Sequence, residues 1–135
     1  MENNKYYESS NDKVIELDYN DFNEDGTVNR NEFKDKYGII KVYAHWCGYC
    51  KKMIPTCEYL SNNLYDNNFV VGAINLALPE NKDISHLKDK INGYPTLFMV
   101  DPVTNELDMY HGSNDLKSIL EYICNYTNNN ICKYQ

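Results

Sequence analysis

No apolar run in these 135 residues approaches the roughly 18 to 20 that cross a bilayer, so a membrane-spanning helix is excluded. Basic residues are scarce as well: 13 Lys and Arg stand against 20 Asp and Glu, for a net charge of −7 and a pI near 4.8. Such a surface repels a phosphate backbone, which excludes nucleic acid as a partner. The first twenty residues are rich in Asn, Asp and Tyr and hold no signal-peptide apolar stretch. The expected location is therefore the cytoplasm, or a virion if the chain is viral, and a secretory lumen only if an N-terminal segment was trimmed. The length leaves no room for a two-domain enzyme and enough for one sizeable core. Nor is the chain poor in apolar residues as a disordered tail would be, since 42% are hydrophobic and 13% aromatic.

What the chain has in excess is asparagine, twenty in all, beside thirteen tyrosines. Drift toward AT-rich codons explains the asparagines, and they carry no chemistry. Five cysteines are an odd number, so at least one thiol stays unpaired and a full disulfide framework is excluded. Two of them are spaced as Cys47-Gly48-Tyr49-Cys50.

The first twelve residues are polar and without period, and read as a loose extension. Val14 to Leu17 begins a strand, and Ile39 to Ala44 is a buried one by length and β-branching. After Cys50 the period changes: Met53, Ile54, Cys57, Leu60 and Leu64 mark an amphipathic helix, kinked at Pro55. Phe69 to Leu76 predicts a strand, Ile84 to Ile91 a short helix, Thr96 to Val100 a third buried strand and Leu107 to Tyr110 another. A last helix is expected from Gly112-Ser113 through Ile123, ending before the asparagines at 128 to 130. The order predicts a single α/β domain over residues 13–126 with a central mixed sheet flanked by helices, and a polar tail over 127–135.

A strand, then Cys-x-x-Cys, then a helix places the first cysteine where unpaired backbone N–H groups and the positive end of the helix favour a thiolate. Cys50, one turn on, is close enough to close a disulfide with Cys47 and release a bound partner. Half of a zinc site has the same spacing, but no second Cys-x-x-Cys follows, and His45, His86 and His111 are scattered.

At this point the chain resembles the thioredoxin family, and within it the catalytic domains of protein disulfide isomerases. The resemblance runs from about Val14 to Tyr126. It rests on Val14-Ile15-Glu16-Leu17, on Tyr43-Ala44-His45-Trp46-Cys47-Gly48-Tyr49-Cys50-Lys51, on Pro55, on Gly93-Tyr94-Pro95-Thr96-Leu97 and on Gly112. It implies a thioredoxin fold and a thiol–disulfide oxidoreductase or isomerase that needs no cofactor. Cys47 would attack and Cys50 resolve. It further implies a cis Tyr94–Pro95 bond against the Cys47 sulfur, with Trp46, Tyr49, Tyr94 and Pro95 forming the surface that holds a substrate polypeptide. The implied partners are polypeptides bearing thiols or disulfides and a redox partner such as a reductase or a sulfhydryl oxidase, met by a monomer. A peptide-binding module of the same fold without turnover is the alternative, against which both intact cysteines argue.

The departures from the family are informative. Relatives carry a buried Asp or Glu six residues before the first active-site cysteine, where this chain has Lys41; the lysine that faces that acid aligns with Ala73. An ammonium under the helix would favour thiolates and make the disulfide more oxidising, unless Lys41 snorkels to solvent and does nothing. His45 adds a second modulating position, expected exposed and neutral. Cys57 reads as a small core residue, and Cys124 and Cys132 as free thiols by default, though a bridge from the last helix to the tail is open. Finally, the loop from Asp21 to Glu32 matches a calcium-binding pattern, with Asp21, Asn23, Asp25, Thr27 and Glu32 as candidate ligands, although strand-like sequence lies upstream and Gly38 cuts the chain downstream.

Overall fold

A computed structural model describes residues 5–7, 13–82 and 84–132. Five strands form one mixed sheet in the order β1-β3-β2-β4-β5. They are β1 (Ile15–Leu17), β2 (Tyr37–Tyr43), β3 (Phe69–Asn75), β4 (Thr96–Val100) and β5 (Leu107–Met109). β3 runs parallel to both β1 and β2, while β4 is antiparallel to β2 and to β5. The central strands β2 and β3 are β-branched runs buried along nearly their whole length, as strands covered on both faces must be.

Alternation along β2 divides the core. Ile39 and Tyr43 point to the face packed by helices α1 (Gly48–Lys52), α2 (Ile54–Leu64) and α4 (Leu116–Tyr126). Ile40 and Val42 point to the opposite face, where Val28, Phe33 and Leu87 of α3 (Ser85–Lys88) meet Phe98 and Val100. The expected kink at Pro55 is a full break: α1 ends at Met53, and Pro55 opens α2, because its ring nitrogen has no hydrogen to give the preceding turn.

Three expectations change. α4 starts at Leu116 rather than at Gly112, since Asp115 caps it by accepting the Ser118 N–H at 2.9 Å. Gly112 instead lies under the Tyr110 ring, where a Cβ would collide. The first twelve residues are not wholly loose: Tyr7 is buried and Tyr6 stacks on Tyr43, with ring centroids 4.5 Å apart. Residues 1–4 and 8–12 lie outside the described residues, as do 133–135 of the tail. Within the tail, Ile131 and Cys132 are buried rather than solvated, and Cys132 is disulfide-bonded to Cys124, so these two are not free thiols. The fold-back that joins them runs through Asn128 and Asn129, both at positive φ. Asn68 and Asn105 are also left-handed, so four of the asparagines have a conformational use that composition does not reveal.

The Asp21–Glu32 loop does not take the helix–loop–helix form that its pattern matches. Three-residue 3-10 turns, Tyr19–Asp21 and Asn31–Phe33, stand where the flanking helices would be, and Phe22 bridges to Val28. Arg30 sits between the first and last positions, 3.3 Å from Asp21 and 2.9 Å from Glu32, while Asp25 accepts both the N–H and the hydroxyl of Thr27 and the Asn23 amide donates to that hydroxyl oxygen. Among the described residues no group of three or more His, Cys, Asp or Glu is arranged to hold a metal ion, and no helix is long and apolar enough to cross a membrane.

Candidate active site

Cys47 follows the end of β2 and is the N-cap of α1: its sulfur accepts the Cys50 N–H at 3.1 Å. Cys47 and Cys50 are disulfide-bonded, with Cα atoms 5.3 Å apart. The two sulfurs are not equivalent. Cys47 is nearly enclosed but keeps 8% exposure, whereas Cys50 is 0% exposed. An incoming thiolate or disulfide therefore reaches Cys47 first, and Cys50 is placed to act only from inside.

The Tyr94–Pro95 bond is cis, and the Tyr94 carbonyl oxygen lies 3.7 Å from the Cys47 sulfur. Trp46, 62% exposed, meets the Tyr94 ring edge to face at 5.7 Å, and Tyr49, 53% exposed, lies between the two cysteines in the first turn of α1. Large exposed aromatics side by side form an apolar rim around a reactive sulfur. The structure thus brings Trp46, Tyr49, Tyr94 and Pro95 together around Cys47.

Beneath the disulfide the structure decides the fate of Lys41. Its side chain does not snorkel: it is 1% exposed, and Nζ donates to the Cys50 carbonyl and to the Tyr7 hydroxyl, each at 2.7 Å. The rings of Tyr6, Tyr7 and Tyr43 surround the nitrogen at 5.3 to 5.8 Å. Ala73 is the cross-strand neighbour of Lys41 on β3 and offers no counter-charge. Burial pushes the Lys41 ammonium down to about 8, against smaller opposing pulls from Cys57 and Glu16. The same burial pushes the Tyr7 and Tyr43 hydroxyls well above the usual phenol range.

Sequence reasoning missed Tyr6, Tyr7 and Glu16, which complete this layer. Glu16 accepts the Tyr43 hydroxyl at 2.6 Å and the Tyr7 N–H at 3.1 Å, and Tyr6 donates its hydroxyl to the His45 carbonyl at 2.5 Å. Cys57, buried on α2 as a small core residue should be and outside both disulfides, borders Tyr7. His45 is half-buried, not exposed: its Nδ1 pairs with the fully buried Asn75 amide at 2.9 Å.

Comparison with known proteins agrees with this geometry. The Thioredoxin family matches residues 13–125. This chain belongs to the thioredoxin family. Protein disulfide-isomerase 1 of Dictyostelium discoideum is 34% identical over 95 residues, 69% of this chain and 26% of that one. A protein disulfide-isomerase of Medicago sativa is 29% identical over 112 residues, 82% of this chain and 20% of its own. Thioredoxin f from spinach chloroplast has the same fold, with a TM-score of 0.67 at 22% identity over 85% of this chain and 87% of that chain. The chain spans between a fifth and a third of the length of the first curated relatives it matches. A thioredoxin domain whose Cys47 keeps a sliver of exposure, 8%, beside a fully enclosed Cys50 is a thiol–disulfide oxidoreductase domain, and the non-catalytic alternative is not favoured.

Proposed function

We propose that this protein exchanges thiols and disulfides in polypeptide substrates and that its Cys47–Cys50 disulfide works in the oxidising or isomerising direction. The observation that carries the direction is Lys41, a buried amine bonded to the Cys50 backbone where the family resemblance implies a carboxylic acid. A cation there stabilises the thiolate state, and a more stable reduced state means a more oxidising disulfide.

In that direction a substrate thiol loses its proton and attacks Cys47, the Cys47–Cys50 bond breaks, and Cys50 leaves as a thiolate that takes up the proton the substrate released. A second substrate thiolate then displaces Cys47, so the substrate gains a disulfide and the enzyme two electrons. In isomerisation the Cys47 thiolate attacks a wrong disulfide and Cys50 releases any complex that stalls. Trp46, Tyr49 and Tyr94 provide apolar contact with unfolded segments, and the Tyr94 carbonyl beside the Cys47 sulfur offers a polypeptide a backbone hydrogen-bond acceptor. A reductase or a sulfhydryl oxidase would reset the pair. The Cys124–Cys132 bond suits a compartment that keeps thiols oxidised better than it suits the cytosol.

The test is a refolding assay on a reduced and on a scrambled secretory protein, run beside reduction of a stable protein disulfide. Faster oxidation or unscrambling than reduction supports the proposed direction. Efficient reduction with a potential near the thioredoxin value of about −270 mV would reverse it.

A further inference from the structure

Reduction of a disulfide enclosed by protein places a new negative charge where water cannot screen it, and something in the fold must answer that charge. Around the underside of Cys50 the groups that titrate are Tyr6 and Tyr7 from the N-terminal segment, Glu16 from β1, Tyr43 and Lys41 from β2, and Cys57 from α2. The flanking strands bring only Ala73 from β3 and Leu97 from β4. Tyr7 and Tyr43 stay neutral well above their usual range, so among the described residues Lys41 is the basic group in direct contact with Cys50.

We propose that Lys41 is the redox-linked proton store of the Cys47–Cys50 pair: its amine takes up a proton when the disulfide is reduced and gives it up when the disulfide reforms. This rests on the oxidoreductase reading above. Nζ touches the Cys50 carbonyl, so Lys41 acts on the sulfurs through its charge and through that backbone, as a positioning residue. Tyr7 fixes the amine from the far side, which makes the N-terminal segment part of the site.

The step balances. Between about pH 8 and 9.5 the reduced enzyme holds a Cys47 thiolate, a Cys50 thiol and a Lys41 ammonium, while the oxidised enzyme holds the disulfide and a neutral amine. On oxidation by a substrate disulfide, the Cys47 thiolate attacks one substrate sulfur and the other leaves. Cys50 then loses its proton and attacks Cys47, and the second substrate sulfur leaves. Two electrons pass to the substrate. Two protons leave the site, one from Cys50 and one from Lys41, and convert the two substrate thiolates to thiols. These three groups carry no net charge in either redox state, which is the least costly arrangement for a buried site. The depressed Lys41 affinity of the oxidised form agrees with an amine that gives up its proton in the working range.

The experiment counts protons taken up per pair of electrons. Equilibrium of Cys47–Cys50 with a dithiol buffer is measured by thiol labelling and peptide mass at several pH values between about 6.5 and 9.5, for the wild type, Lys41→Met and Lys41→Arg. Between about pH 8 and 9.5 the wild-type equilibrium constant should change with pH more steeply than either variant's, by up to about tenfold per pH unit, the signature of up to one additional proton. Arginine keeps a cation yet holds its proton throughout, so a shallow slope there assigns the effect to proton transfer rather than charge. Parallel slopes in all three proteins would overturn the proposal. Should the Lys41 variants not fold, Tyr7→Phe keeps the ring and removes the hydroxyl: a displaced pH window supports the proposal, and an unmoved one overturns it. A measurable, reversible Cys47–Cys50 equilibrium in the wild type tests the oxidoreductase reading separately, because it appears whether or not the slopes differ.

Discussion

The two disulfides of this protein are the same bond in opposite settings. Cys47 caps the start of α1, where its sulfur receives a backbone N–H, and Cys50 lies over the Lys41 amine. Cys124 lies in the last turn of α4, whose carbonyl end disfavours a thiolate, and its partner Cys132 is tucked against the core beside Ile131. One pair is ringed by exposed aromatics; the other ties a turn of left-handed asparagines back to its helix. The difference teaches that reactivity in a cysteine pair belongs to the helix end and the buried charge beside it, not to the sulfur–sulfur bond.

Exchanging the sulfurs for oxygens separates the pairs most sharply. Cys47→Ser should lower exchange activity at least about a hundredfold, and Cys50→Ser should accumulate mixed disulfides with substrate, visible by non-reducing electrophoresis. Cys124→Ser with Cys132→Ser should leave activity per folded molecule intact and cost stability instead. For a loop closed across a separation of 8 residues the loss is about 2.5 kcal/mol, read by denaturant unfolding. Loss of exchange in the Cys124 and Cys132 variant would erase the distinction.

A smaller effect concerns the amine beneath the first pair. In the native oxidised protein Lys41 titrates near about 8, well below its unfolded value of 10.5. Between those pH values the unfolded chain holds a proton that the native chain has released, so stability rises with pH there. Below the window the buried ammonium is a cost. Above about pH 10 Tyr7 and Tyr43 ionise only on unfolding, and the sign reverses. Relative to Lys41→Met, the wild-type melting temperature should gain roughly 6 °C between about pH 7.5 and 9.5. The smallest expected effect lies far from both pairs: with Arg30 seated between Asp21 and Glu32, millimolar calcium should give no melting shift that Glu32→Gln removes.

The strands and the reactive pair were legible because each is written in local pattern: β-branched runs for β2 and β3, and Cys-x-x-Cys between a strand and a helix. Lys41 was legible as a position but not as an environment, since alternation says which face a residue takes and not what encloses it. Tyr6, Tyr7 and Glu16 left no periodic signal; their roles exist only because the N-terminal segment folds back over the end of β2. The Cys124–Cys132 pairing depends in the same way on a reversal at Asn128 and Asn129, whose left-handed backbone no spacing rule announces. The calcium-like loop shows the converse limit, because a pattern of oxygen-bearing residues specifies neither flanking helices nor the arginine that joins its ends.

Both disulfides can be followed in one titration, by equilibrating the protein in redox buffers of graded potential and quantifying labelled thiols peptide by peptide. Cys47–Cys50 should be half-reduced between about −270 and −120 mV, toward the less negative end, while Cys124–Cys132 stays oxidised to below about −300 mV. Coincident reduction of the two pairs, or earlier reduction of Cys124–Cys132, would contradict the division between a working and a structural bond.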